Sequence, residues 1–403
     1  MNKKIVYLFL FLLIAGISLS PRLPLGVLSI GRTIDIRAED VILCLGSIVL
    51  LFGIFVSGKY KLQLPPLFWP IVAWSGFGLF SVSMNLLLGE INFNFAFFYL
   101  LKEIEFFVLY LVVFFCISNF DLRKQLVKHW FFFTLVNIFW LEYVFIFDVK
   151  WSIFYGANMF AEPQGPFPSG GYFLLVFIFL FNLFIFYYNK IEISKLTKIS
   201  LLGLSLSPIL GVILSGSMAS AIGLFCAIFV SLFLLLKDRI NSKTFAKITI
   251  FVVVALGILL LSIQALPVNK RIISFSKIKR EYVTGSTDSR IGILKNHLSI
   301  ILSSPSNLIM GLGVRGEAHS QYMRIALERG LVGLFLFFWL MWSILKISYN
   351  KFKTKDDLFK KGLCAGLLVS TIAMLVMSIP NDVFMTVKPA EVYWFFAAMA
   401  LAI

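Results

Sequence analysis

The sequence predicts an all-α polytopic membrane protein, with about twelve spanning helices and one large helical loop on the outer side, between helices 9 and 10. Three observations carry this. Hydrophobic residues are 60% of the 403 and charged residues 14%, where a water-soluble chain carries about 25% charged residues; the mean hydropathy is +0.93. Apolar runs of membrane-crossing length recur from end to end. The 36 Lys and Arg are concentrated in alternate connecting segments, as in loops on the two sides of a bilayer. This composition excludes a soluble enzyme with a water-facing surface. The net charge of +16 reflects loops that collect Lys and Arg, with no nucleic-acid partner implied. The 45 phenylalanines are expected on lipid-facing surface.

The runs fall at 5–20, 38–57, 66–88, 95–118, 126–147, 170–188, 198–214, 216–236, 247–266, 331–347, 362–379 and 390–403. The first follows Lys3-Lys4, so a cleaved signal peptide is the alternative; Gly16–Ser20 is a poor cleavage match, which favours an anchor. With the N-terminus placed inside, twenty of the Lys and Arg lie in inside segments and five in short outer loops. Ten lie in the long segment 267–330, which is exempt from the positive-inside rule, and Lys102 lies within a span. Both termini are then cytoplasmic and 267–330 faces outward.

The expected organisation is therefore 1–266 with nine spans, 267–330 as an outer catalytic loop with two short helices, and 331–403 with three spans. In the loop, Thr287 or Asp288 can cap a helix that ends at Ser303-Ser304, before Pro305. A Gly-rich turn follows over Gly311–Gly316, then a second helix from Ala318 through Glu328. Cys44, Cys116, Cys226 and Cys364 lie in or beside apolar segments without metal-like spacing, and read as small buried residues.

His319, one of three histidines, opens the second outer helix. The positive end of a helix dipole favours neutral imidazole, the form a general base needs; a plain surface histidine is the alternative. Arg290 and His297, seven apart, share one face of the first outer helix, and Arg315 and Arg324 flank His319. With Lys295 they make a cationic outer surface suited to pyrophosphate oxygens, which guanidinium forks bind bidentately; attraction to anionic headgroups is the other reading. Arg324 and Glu328 also have the spacing of a solvated helix ion pair.

Lys102, Glu103 and Glu105 lie in the fourth span and Glu142 near the outer end of the fifth. Charges at such depth pair or line a wet cavity. A Lys102–Glu105 or Lys102–Glu142 pair would lock two helices; a polar cavity under the outer loop is the sharper reading. Buried charge is thus expected in two helices near one face. The loop Glu162–Pro168 is rigid and could line a sugar groove or simply turn the chain. No Walker loop and no acidic triplet in an outer loop is visible, so neither ATP nor a metal ion is implied.

The run Gly311-Leu312-Gly313, Ala318-His319-Ser320-Gln321-Tyr322 and Leu327-Glu328-Arg329-Gly330-Leu331-Val332-Gly333, followed by a spanning helix, resembles the O-antigen polymerase and O-antigen ligase superfamily. Arg290, 29 residues before His319, fits its pattern, and Phe160–Gln164 resembles an outer-loop motif of the polymerases. Ser320 stands where the family usually has asparagine, and Met218, in the turn Leu214–Ser220, stands where it often has arginine.

The resemblance implies a polytopic glycosyltransferase of the bacterial inner membrane with its site facing the periplasm. Its donor would be a glycan on undecaprenyl pyrophosphate, His319 would be the base, and Arg290, Arg315 and Arg324 would hold the pyrophosphate. It implies no metal or nucleotide cofactor, and admits a chain-length regulator protein as a partner. Polymerisation of O-antigen or a related surface polysaccharide is the expected reaction. Ligation to lipid A-core is the alternative within the family, and a non-catalytic exporter or flippase the alternative outside it.

Overall fold

A computed structural model of the chain describes residues 3–20, 23–27, 33–57, 63–89, 91, 93–147, 166–215, 217–238, 292–313, 320–354 and 357–402. Helices occupy eleven of the twelve predicted spans; the ninth, 247–266, lies outside the described residues. In order they are α1 (Lys3–Leu19), α2 (Ala38–Ser57), α3 (Phe68–Leu87), α4 (Phe93–Phe120), α5 (Arg123–Phe147) and α6 (Pro166–Leu183). A π-turn at Phe184–Tyr188 extends α6. Then come α7 (Lys195–Leu206), α8 (Pro208–Leu214), α9 (Met218–Lys237), α10 over 292–302, α11 (Pro305–Met310), α12 (Gln321–Thr354), α13 (Leu358–Met377) and α14 (Val387–Leu401). Six helical stretches among the described residues are long and apolar enough to cross a membrane. The one non-helical pairing described is a hairpin between α1 and α2. Its strands β1 (Leu23–Val27) and β2 (Thr33–Ile36) run antiparallel, Leu23 opposite Ile36.

The starts of several helices follow from local chemistry. Ser194 caps α7 by accepting the Thr197 amide at 3.1 Å, and Ser217 caps α9 by accepting the Ser220 amide at 3.3 Å. Asp357 caps α13 by accepting the amides of Phe359 and Lys360 at 3.0 and 3.4 Å. The expected helix stop before Pro305 is found, but Pro305 also opens α11. Ser304 is its cap, accepting the Asn307 amide at 3.1 Å, and proline fits the first helical turn.

The centre of the bundle is α6, α13 and α14. Every residue of Ser169–Phe186 is buried, as are thirteen of the fifteen residues of α14. A helix that is apolar all round belongs in the middle. This corrects in part the expectation that phenylalanine marks lipid-facing surface: Phe225, Phe229 and Phe335 are exposed, but the central helices bury theirs. Phe173, Phe177, Phe179, Phe181 and Phe186 are fully buried, and the rings of Phe179 and Phe396 stack at 3.8 Å. Small residues on α13 admit these rings: a β-carbon on Gly366 would come within 2.9 Å of Phe179. The cysteines also divide, Cys116 and Cys364 being buried while Cys44 is exposed on α2.

The expected second outer helix is found in its described part: residues 321–329 are helical and end at a kink at Gly330 (φ 61°, ψ −163°). α12 (Gln321–Thr354) therefore consists of two helical stretches, 321–329 and 331–354, that meet at this kink. The break sits at the expected boundary between loop and span. Of the nine helical residues before it, Gln321, Arg324, Ile325, Leu327, Glu328 and Arg329 are buried.

Candidate polar site at one end of the bundle

Because successive helices run in alternate directions, the end of α1, the starts of α2, α4 and α12 and the α13–α14 connection meet at one end. Two ionic assemblies are built there, on two sides of α4. The first joins α4 to α2 and α14. Lys102 donates to Asp40 at 2.8 Å and to both oxygens of Glu105 at 3.0 and 2.8 Å. Next to Asp40, Glu39 accepts from the hydroxyl of Ser20 and from Lys388 at 2.6 Å, and lies 3.7 Å from Arg37. Lys388 also lies 3.8 Å from Glu391. Carboxylate oxygens of Glu39, Asp40 and Glu391 all fall within 4.8 Å of one another. The sequence shows no such triplet because its members come from opposite ends of the chain. Arg37, Lys102 and Lys388 already lie among these acids, so we read the group as an ionic lattice.

The second assembly joins α4 to α3 and α12 through Tyr99 and Glu103, four apart on one face. Glu103 accepts from the Trp74 indole and from Arg329, whose guanidinium lies 4.2 Å over the Trp74 ring. Arg324 donates to Glu328 at 3.1 Å and to Asp382, and lies 4.4 Å over the Tyr99 ring. Glu103 and Gln321 contribute the polar groups to an otherwise aromatic and apolar cleft lined by Trp74, Phe337, Phe384 and Trp394.

Of the candidate residues, the Lys102–Glu105 pair is found, with Asp40 as a further partner that the sequence did not point out. Arg324 and Glu328 pair as their spacing predicts, but the pair is not solvated. Arg324 is 2% exposed, because α12 presents it to Asp382 and Tyr99. The expected cationic surface therefore lacks Arg324 and also His297, which is buried. Apart from Arg123 at the start of α5, buried charge among the described residues lies near one end, but it is not confined to two helices: α2, α4, α12 and α14 all contribute. His319, Arg290, Arg315 and Glu162 lie outside the described residues, as does the side chain of Glu142. Glu103–Arg329, Asp382, Lys388 and Glu391 were missed as partners; only Glu103 and Glu391 lie inside predicted spans, where depth hints at pairing.

The glycines of the motif have a structural reason. With α12 interrupted at Gly330, the Leu327 and Glu328 carbonyls accept instead from the Leu312 and Gly313 amides, at 2.8 and 3.0 Å. Gly311 and Gly313 adopt φ of 75° and 70° to make this docking. A β-carbon on Gly330 would lie 2.3 Å from the Ile309 carbonyl oxygen.

Residues 202–338 match the family described as O-antigen ligase. The chain carries a domain of the O-antigen polymerase and ligase superfamily. The match runs from α7 into α12, and so includes Arg290, Arg315, His319 and Arg324 together with the docked glycine turn. No curated protein matches the chain. The match and the membrane-length helices together indicate a membrane protein.

Proposed function

We propose that the protein polymerises undecaprenyl-pyrophosphate-linked repeat units of O-antigen or a related surface polysaccharide on the periplasmic face of the inner membrane. The observation that carries this reading is where the chain spends its buried charge. Apart from Arg123, the buried arginines and carboxylates among the described residues share one end of the bundle with the docked Gly311–Gly313 turn and with Ser320. We assign that end to the periplasm, on the alternation of Lys and Arg along the chain. Charge gathered at one end suits a reaction at a membrane surface. Transport would call for polar groups spread along the spans.

In the proposed reaction His319 takes the proton of an acceptor sugar hydroxyl. The hydroxyl oxygen forms the new glycosidic bond to the donor's anomeric carbon as the bond from that carbon to the pyrophosphate oxygen breaks. Arg290 and Arg315 hold the departing pyrophosphate and stabilise its charge. Arg324, already joined to Glu328 and Asp382, is the third arginine of this reading. The domains follow the same reading, with 267–330 as the catalytic stretch between two sets of spans.

The test is a lipopolysaccharide gel from a strain lacking the protein, with wild-type or His319→Ala copies returned. Core carrying a single repeat, with the ladder restored by wild type alone, is the expected outcome. An unchanged ladder with His319→Ala would remove the base assignment. The family match itself is described as a ligase, which keeps transfer to lipid A-core as the second reading. Bare core with polymer accumulating on undecaprenyl pyrophosphate would select it.

A further inference from the structure

We propose that Glu391 is a proton-binding site, carried as a neutral carboxylic acid where side chains of α2 and α14 meet, and that release of its proton loosens that joint. Two independent observations point to it. The first is a balance of charge. On the α2 side of α4, the described residues place four carboxylates, Glu39, Asp40, Glu105 and Glu391, among three cations, Arg37, Lys102 and Lys388. One negative charge is left over, in a place where Arg37, Glu39 and Glu391 are only 2–4% exposed.

The second is the direction of the donors. Lys102 donates to Asp40 and Glu105. Lys388 donates to Glu39 at 2.6 Å and to the Gly16 carbonyl at 3.4 Å, and its nitrogen stays 3.8 Å from Glu391, beyond hydrogen-bond reach. Neither oxygen of Glu391 has a hydrogen-bond donor among the described residues. Carboxylate oxygens of Glu39 and Asp40 lie within 4.8 Å of it instead. A buried carboxylate with no donor and with like charge beside it takes up a proton rather than stay ionised. The proton comes from water, and the O–H it forms has carboxylates beside it that can accept.

Other elements packed against α14 supply no counter-charge. On α6, the Tyr172 hydroxyl donates to Ser18 at 3.1 Å and accepts from Asn137 at 3.0 Å. α1 and α13 carry their charges, Lys3, Lys4, Lys360 and Lys361, at the opposite end. Asp382 on the α13–α14 connection, Arg324, Glu328 and Arg329 on α12 and Glu103 on α4 pair within the second assembly. Tyr393, on α14 itself, is bonded to Thr371 at 2.9 Å. The folded chain thus binds a proton at Glu391 that the unfolded chain gives up above about pH 4.3. The stability that Glu391 contributes is therefore largest in acid and falls as pH rises.

The experiment uses the full-length protein in lipid nanodiscs. Thermal midpoints are measured from about pH 5 to about pH 8 for wild type, Glu391→Gln, Glu39→Gln and Glu192→Gln, the last an exposed glutamate at the opposite end. Infrared spectra near neutral pH read the C=O stretch of protonated carboxyl groups. The expected result is a wild-type midpoint that falls by several degrees with rising pH relative to Glu391→Gln, whose amide copies the neutral acid. A protonated-carboxyl band present in wild type is absent from Glu391→Gln, and Glu192→Gln keeps both the band and the pH profile. Glu39→Gln leaves three acids among three cations and frees Lys388 for Glu391, so it also loses the band; should Glu391→Gln not fold, Glu39→Gln decides alone. Parallel pH profiles in wild type and Glu391→Gln, or a band that survives in both glutamine variants, would overturn the proposal. A wild-type midpoint that rises when sodium or magnesium replaces choline at fixed ionic strength, with no such rise in Glu391→Gln, would also overturn it and make a metal cation the missing charge.

Discussion

At the polar end, Arg324 and Arg329 are 2% and 3% exposed, and each guanidinium is held by carboxylates and covered by an aromatic ring. At the opposite end, Lys190 and Lys361 grip Asp238 between the π-turn after α6, the end of α9 and the start of α13, with side chains 27%, 15% and 13% exposed. Other lysines there lie over aromatic rings, as Lys124 does over Tyr187 at 5.6 Å. Both ends use ion pairs, but only the Arg324–Glu328 and Arg329–Glu103 pairs are dry on both sides, at 2–5% exposure; Lys102, Asp40 and Glu105 at the same end are 27%, 18% and 19% exposed. Buried pairs contribute little net stability, because desolvation offsets the attraction, yet they are costly to break singly. Charge is tolerated in the dry pairs because the fold brings a carboxylate and an aromatic ring to each guanidinium. At the basic end it is tolerated because water and headgroups are near.

The contrast can be broken from the dry pairs first. Glu103→Ala leaves Arg329 buried beside Trp74 with no carboxylate, and is expected to cost about 3–5 kcal/mol. Unfolding in mixed SDS micelles would measure it, and a loss under 1 kcal/mol would mean that water reaches the pair. Gly330→Ala is expected to cost about 2–3 kcal/mol, because its backbone occupies a region nearly restricted to glycine. Loss of the Gly311–Gly313 docking should accompany it, read as faster amide exchange at Leu312 and Gly313. At the basic end, Lys361→Ala should cost no more than about 1 kcal/mol in the same micelle assay, the scale of a pair bordering solvent.

The smallest effect expected is a pH dependence at Asp238, just beyond α9. Burial pushes its carboxyl up, but hydrogen bonds from Lys361 and Lys190 outweigh that and hold it below the ordinary value of 3.8. A depressed carboxyl contributes stability that is fully present above about 3.8 and is lost as pH falls through the lower folded-state value. The difference in thermal midpoint between wild type and Asp238→Asn should therefore persist from pH 7 to pH 5 and shrink below pH 4. A difference that stays constant down to pH 3 would show that the clamp does not depend on the carboxylate.

Much of the fold was legible because lipid imposes a length and a polarity that a sequence must display openly. The segments at 38–57, 66–88 and 126–147 fall within a few residues of α2, α3 and α5. The Lys102–Glu105 pair was legible because its members are three apart on one helix. Asp40, Asp382 and Glu391 were not legible as partners, since nothing local says which distant helix will lie alongside. Phenylalanine was partly misjudged for the same reason: hydropathy reports that a side chain avoids water, and both lipid and protein interior satisfy that.

By itself the sequence determined that the chain enters a membrane, that its helices alternate in direction, and that the stretch around Gly311–Gly333 has the marks of a glycan-handling superfamily. These are properties of composition, period and short spacing. Only the tertiary structure decided that α6 and α14 form the centre, that Arg324 and Arg329 face inward, and that Ser81 meets a turn more than two hundred residues away. The physical reason is that every backbone and charged group inside a bilayer must find its partner within the protein. Which partner it finds depends on how helices distant in sequence are brought together.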